Sequence, residues 1–273
     1  MNAPLWIVYL AVCAMQLALA GGYASRFARE EGRVSPQIHA AQLATILSHT
    51  AFLALLGLNY HEIPLVSWAN MASWIALGLA IVHTTTEARF HTGGTGVFIF
   101  ALAFALQMAA WPSLGMQPEP NRLLQNPIYG VHVGWALLGY VGFLISTLYG
   151  LLYLVLYRML KERRFGAFVE GMPPLDLMAR MNLHAAAVGF LCLTLSLALG
   201  VELSWRLNVA FLHDAKFIQS MCAWLLYGLL LVARYALGWK GRLQVAVSVA
   251  CFGALALSAA AVHLFFTTFH HFT

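Results

Sequence analysis

The sequence predicts an all-α polytopic membrane protein: a bundle of eight transmembrane helices with both termini on the exterior, periplasmic side. Three observations predict it. Hydrophobic residues fill 61% of the 273 positions and charged residues only 9%, at a mean hydropathy of +0.76, whereas a soluble domain carries roughly 25% charged residues. Apolar runs of about 20 residues, enough to cross a hydrocarbon core about 30 Å thick, recur along the chain. The runs are continuous rather than alternating, which selects helices over a closed barrel as the way to satisfy backbone groups in lipid. The same composition excludes a water-soluble globule and a disordered chain, because so much apolar side chain must leave water.

The spans fall near residues 4–23, 39–59, 64–84, 94–111, 128–157, 178–203, 215–236 and 242–268. The first ends in Ala18-Leu19-Ala20, which resembles a signal-peptidase site. No basic residue precedes Arg26, however, and the segment is read as a retained helix. Gly93-Gly94-Thr95-Gly96 precedes the fourth span without a strand before it, and reads as a flexible loop rather than a phosphate cradle. The fifth span is long enough to extend into the charge run Arg158, Lys161, Glu162, Arg163, Arg164. Pro173-Pro174 then breaks the chain before the sixth. The chain is expected to form one integral membrane domain over 1–273, with helices 1–4 in 1–127 and helices 5–8 in 128–273.

Basic residues report orientation, since positive loops stay cytoplasmic. One set of alternating loops holds Arg26, Arg29, Arg33, Arg89, Arg158, Lys161, Arg163, Arg164, Arg180, Arg234, Lys240 and Arg242. The other holds only Arg122, Arg206 and Lys216, which completes the 15 Lys and Arg and places the sparse set outside. Although the net charge is +5 and the pI about 9.2, cations spread so thinly make no continuous face for nucleic acid. Cys13, Cys192, Cys222 and Cys251 are isolated thiols in apolar spans, expected to serve as small packing residues.

Histidine carries the chemical signal: there are 11, against 10 acidic residues. An ionisable side chain in lipid needs a partner or a wet cavity. His49 is expected mid-span, His83 and His184 in cytoplasmic halves, and His39 and His91 on the cytoplasmic surface. His61, His132, His213, His263, His270 and His271 fall on the exterior side. His132 begins the fifth helix, and His263 and His270 end the eighth on one face. Two helix ends thus offer one imidazole each across a shallow exterior cavity, as a flat iron porphyrin requires. Trp135 and Trp205 lie beside them, and Arg122, Arg206 and Lys216 are the exterior cations available to porphyrin carboxylates. The plainer alternatives are an interfacial His132 bonded to a carbonyl, an aromatic belt of tryptophans, and a Glu202–Arg206 pair. His49, His83 and His184 are expected to bond hydroxyls or neighbouring helices. Asp176 and every Glu are placed in loops or at span ends, so no intramembrane carboxylate relay is expected.

Residues 128–273 carry a family resemblance. His213-Asp214-Ala215-Lys216-Phe217 keeps an Asp-x-Lys core, followed by Trp224, Tyr227, Arg234 and Gly238-Trp239-Lys240-Gly241-Arg242. With Met172-Pro173-Pro174-Leu175 and the ending Phe269-His270-His271-Phe272, these positions resemble the cytochrome c assembly (CcsA/CcmC-like) family, in its shorter YpjD- and HemX-like branch. The resemblance implies exterior histidines that ligate haem for delivery to apocytochrome c. Two departures stand out: the tryptophan-rich exterior run is reduced to Glu202-Leu203-Ser204-Trp205-Arg206, and Val232 replaces a membrane-embedded His. Both argue against a complete synthetase and for a protein that catalyses no bond making alone.

The expectation is therefore a multi-pass protein of the bacterial inner membrane, in contact with lipid and no nucleic acid. It would hold haem b non-covalently through His132 and His263 or His270, packed by Trp135 and Trp205, with Arg206 and Lys216 near its carboxylates. Its partner would be another cytochrome c assembly protein or apocytochrome c. The alternatives are a HemX-like membrane regulator or scaffold without haem, and a small-molecule transporter or membrane enzyme.

Overall fold

The computed structural model describes residues 3–29, 35–61, 63–65, 67–111, 126–207 and 214–265. These form nine helices and no strand: α1 (Ala3–Ala28), α2 (Pro36–Tyr60), α3 (Trp68–Phe90), α4 (Gly96–Ala110), α5 (Pro127–Lys161), α6 (Ala167–Gly171), α7 (Leu175–Leu207), α8 (Ala215–Ala236) and α9 (Gly241–Phe265). Six of them (α1, α2, α5, α7, α8 and α9) are long and apolar enough to cross a membrane. The third and fourth expected spans are α3 and α4, and each falls short for a different reason. Asn70, Ser73, His83, Thr84, Thr86 and Glu87 lower the apolarity of α3, whereas α4 is apolar but has only 15 residues. The short α6 is an additional turn inside the expected cytoplasmic segment.

Local chemistry explains where helices begin and end. Ser35 and Ser67 turn their hydroxyls back to accept from the amides of Ile38 and Asn70, capping α2 and α3, and Pro36 supplies a preset first-turn φ. Asp214 caps α8 by accepting from the Lys216 amide at 2.8 Å. Two histidines act as stops. His61 and His91 end α2 and α3 in the left-handed conformation, φ 57° and 56°, with their amides donating to the carbonyls of Gly57 and Glu87.

The chain divides into two compact units, residues 1–126 with 156–174, and residues 127–155 with 175–273. The first is built from α1 to α4 with α6. One cluster packs Tyr9, Phe52, Leu53 and Leu56 with Trp6 and Trp74. A second places Tyr23 parallel to Phe100, ring centroids 5.6 Å apart. The glycine turn before α4 is not the loose loop its composition suggests: a Cβ on Gly94 would strike the Gly171 carbonyl, and one on Gly96 would strike the Tyr23 ring. Glycine is there for close approach.

The interior of this unit is polar at several depths. His49, fully buried, lies 3.0 Å from Ser73 Oγ of α3 and 3.4 Å from Gln16 Nε2 of α1, which matches the expected bonding to neighbouring helices. The Tyr9 hydroxyl donates to the Gln107 carbonyl. Glu87 lies in the last turn of α3, at the span end where the sequence places it, yet it is only 1% exposed, because the helix runs past residue 84 to Phe90 and turns the carboxylate inward against α1 and α2.

The second unit is built from α5, α7, α8 and α9. Gly139 and Gly142 of α5 lie against Leu193 and Gly189 of α7, where Cβ atoms would meet backbone, so these helices approach closely. Phe143 stacks on the buried Tyr227 at 3.7 Å between centroids. Asn182 ties three helices together: its Nδ2 donates to the Ser146 carbonyl at 2.7 Å and to Ser146 and Ser248 Oγ at 2.9 and 3.1 Å. Helices α5 and α9 run antiparallel, since Tyr153 meets Gly241, Gly150 meets Val245 and Val249, and Ser146 meets Ser248 at 2.9 Å.

Candidate functional site

His132 sits on the second turn of α5, half-buried, 6.1 Å from the Tyr129 ring. Its Nδ1 lies 2.8 Å from the Ser196 carbonyl of α7. A carbonyl oxygen only accepts, so Nδ1 is the donor and carries a hydrogen. Ser196 answers with its hydroxyl, which donates to the His132 carbonyl at 2.9 Å and leaves Oγ 3.2 Å from Nδ1 as a second acceptor. One turn further along α7, Gly200 makes room for the ring: a Cβ there would lie 2.9 Å from His132 Cε1. Among the described residues, Nε2 makes no hydrogen bond.

This arrangement has a chemical consequence. In a neutral imidazole with hydrogen on Nδ1, the lone pair resides on Nε2, and that atom is the metal ligand. Metal-binding histidines characteristically donate their other ring N–H to a carbonyl or carboxylate, which fixes tautomer and ring orientation. The carbonyl bond expected of an inert interfacial histidine is present, and it leaves the lone pair on Nε2.

The antiparallel pairing of α5 and α9 sets heights. Counting outward from the Ser146–Ser248 contact, His132 is 14 residues away and His263 15, or about 21 and 23 Å at 1.5 Å per residue. Position 263 is thus level with His132. The side chain of His263 and the whole of His270 lie outside the described residues, as do His213, His271 and Arg122.

The remaining expected residues are dispersed. Trp135 is half-buried one turn beyond His132 on α5, and Trp205 is 73% exposed near the end of α7. Arg206 donates from Nε to Glu202 at 2.6 Å, forming the pair anticipated from their spacing. Lys216 is on the first turn of α8, half-buried beside the cap formed by Asp214. No group of three His, Cys, Asp or Glu among the described residues can hold a metal ion.

Ser196 and Gly200 were not singled out in the sequence, although a Ser-x-x-x-Gly spacing on an apolar helix is the pattern of a close helix–helix contact. The resemblance-bearing residues of α8 have structural partners. Trp224 donates to Thr194 Oγ1 at 2.8 Å, and Arg234 donates to the Trp239 carbonyl at 3.1 Å across the turn in which Gly238 and Gly241 take positive φ.

An all-helical membrane protein with several long apolar spans defines the class. Residues 43–270 match the family described as "Cytochrome C assembly protein". The chain belongs to this family. It is 31% identical over 196 residues to the inner membrane protein YpjD of Escherichia coli (strain K12), covering 71% of this chain and 72% of YpjD. It is also 30% identical over 133 residues to the protein HemX of Bacillus subtilis (strain 168), covering 47% of each. HemX of Brevibacillus brevis is 30% identical over 118 residues, 42% of this chain and 43% of that protein.

Proposed function

We propose that this protein spans the bacterial inner membrane eight times with both termini outside, binds haem near the exterior face, and carries or presents it during cytochrome c biogenesis. The observation that carries this is the bond from His132 Nδ1 to the Ser196 carbonyl, which leaves Nε2 as the ligand atom. Membership of the cytochrome c assembly family supports the cargo. The level position of residue 263 supports His263 as the second ligand, with His270 the alternative seven residues on.

The residues present fit a non-covalently held haem b at His132. When bound, haem would supply an iron that imidazole nitrogens could ligate. His132 and Ser196 hold one ligand nitrogen in orientation, and Gly200 keeps the ring from being displaced. Trp135 and Trp205 pack the flat macrocycle, the exposed Trp205 ring gaining burial when covered. Lys216 offers its ammonium to a carboxylate, and Arg206 its nitrogens not used on Glu202. The receiving partner is another assembly protein or apocytochrome c.

A HemX-like regulator or scaffold without haem is the second reading, favoured by one observation: the Ser196 and Gly200 contacts also serve as ordinary packing between α5 and α7. Purification in mild detergent, followed by an absorption spectrum and a pyridine haemochrome assay, separates the two. Haem carriage gives a Soret band that is lost in His132→Ala and in either His263→Ala or His270→Ala. Folded protein that stays colourless after haem loading gives the scaffold.

A further inference from the structure

The first unit contains a second, independent group of buried ionisable side chains, at the end of α3 that carries Arg89. Glu87 Oε2 accepts from the Tyr23 hydroxyl of α1 at 2.5 Å and from Gln42 Nε2 of α2; Gln42 Nε2 also donates to Tyr23 Oη. His83, one turn back on α3, brings Nε2 to 4.0 Å from the same oxygen. All four side chains are at most 3% exposed. The other carboxylate oxygen, Oε1, is buried with no hydrogen-bond partner among the described residues, and so is Gln42 Oε1.

A carboxylate placed at this depth is costly unless it is paired or neutral. Among the described residues, the groups that hydrogen-bond to it directly are uncharged. From α1 come the Tyr23 hydroxyl and the electrostatic influence of Arg26. From α2 comes the uncharged Gln42 amide, and from its own helix His83. From α4 comes the apolar Phe100, packed against both Tyr23 and His83. A structural knot needs no ionisable member and saturates its acceptors. Here Glu87 Oε1 has neither a donor nor an acceptor partner among the described residues, which leaves it as the carboxyl oxygen free to carry a proton, and the His83 imidazole lies 4.0 Å from its sister oxygen.

We propose that Glu87, with Tyr23, Gln42 and His83, forms a buried proton-binding site that loads and releases one proton. In the loaded state the proton is on the Glu87 carboxyl and His83 is neutral. Release transfers it to His83 Nε2, giving carboxylate and imidazolium, and then from His83 to water. No electron moves and no other bond changes. The site is separate from His132 and does not depend on haem.

The test uses the full-length protein in lipid nanodiscs. A pH-difference infrared spectrum of the wild type shows the carbonyl stretch of a protonated carboxyl, which disappears on alkalisation and is lost in Glu87→Gln. His83→Gln keeps the band but shifts its titration midpoint, because the exchange partner is gone. Dicyclohexylcarbodiimide, which attacks protonated carboxyls from lipid, modifies Glu87 at low pH and loses that labelling as pH rises. The proposal is overturned if the folded wild type has no Glu87-dependent carboxyl band at any pH, or if the band is present but does not titrate. It is equally overturned if sodium chloride, and not choline chloride, protects Glu87 from labelling, since the occupant is then an alkali cation.

Discussion

Asn182 and Glu87 are both deeply buried polar residues, and the two units hold them in opposite ways. Around Asn182 every group is neutral, and the amide of Gln244 adds a bond to the Ala179 carbonyl at 3.1 Å. Among the described residues of that network, no buried side-chain atom lacks a partner. Around Glu87 the members other than Gln42 are ionisable, and among the described residues Glu87 Oε1 and Gln42 Oε1 have no partner there. Deeper in the same unit, both polar atoms of the Gln107 side chain are also without one. A saturated neutral network specifies which helix meets which and in what register. An unsaturated ionisable one costs stability and indicates a role other than holding helices together. His132 stands between: one nitrogen is committed to structure, the other is not.

The contrast can be broken experimentally, and the largest effect is expected at His132. If Nε2 is the ligand atom, His132→Ala abolishes the Soret band outright while circular dichroism stays helical; a retained band removes His132 from the site. Gly200→Ala should come next. A methyl 2.9 Å from Cε1 displaces the ring by a few tenths of an ångström, so haem retention falls in a spectroscopic titration without unfolding. Gly142→Ala tests the packing side: its Cβ would meet Gly189 backbone at 2.5 to 2.7 Å, and overpacking of that kind costs about 1–3 kcal/mol, visible as a lower midpoint in thermal unfolding. Asn182→Leu should cost about 1–2 kcal/mol through lost interhelical bonds, with the haem spectrum unchanged. Glu202→Ala should be the mildest, a few tenths of a kcal/mol, because an exposed ion pair contributes little.

Much of the fold was legible because its cause is composition. Length and apolarity located six spans, and Pro173-Pro174 located the break before α7. The same criteria blurred α3, whose polar residues face other helices rather than lipid and so lower a hydropathy that reports lipid exposure. Glu87 shows the limit of that reading: the sequence puts it at a span end, and it does lie in the last turn of α3, but that the carboxylate turns inward depends on which helices face it. At the site, His132 was visible as an ionisable residue at a helix start. Ser196 and Gly200 were not, since their importance lies in which helix they face, and a single sequence does not contain that neighbour relation. The glycine turn at 93–96 was misjudged on the same account: glycine marks freedom in isolation and close contact in a packed chain.

One further consequence belongs to the Ser196 carbonyl. Because it can never give up an acceptor for a donor, the hydrogen on Nδ1 stays in place whatever the charge of the ring. Acid can therefore add its proton at one atom only, the same Nε2 that a metal would occupy. Acidification would then compete directly with any iron held at Nε2, leaving the helices where they are.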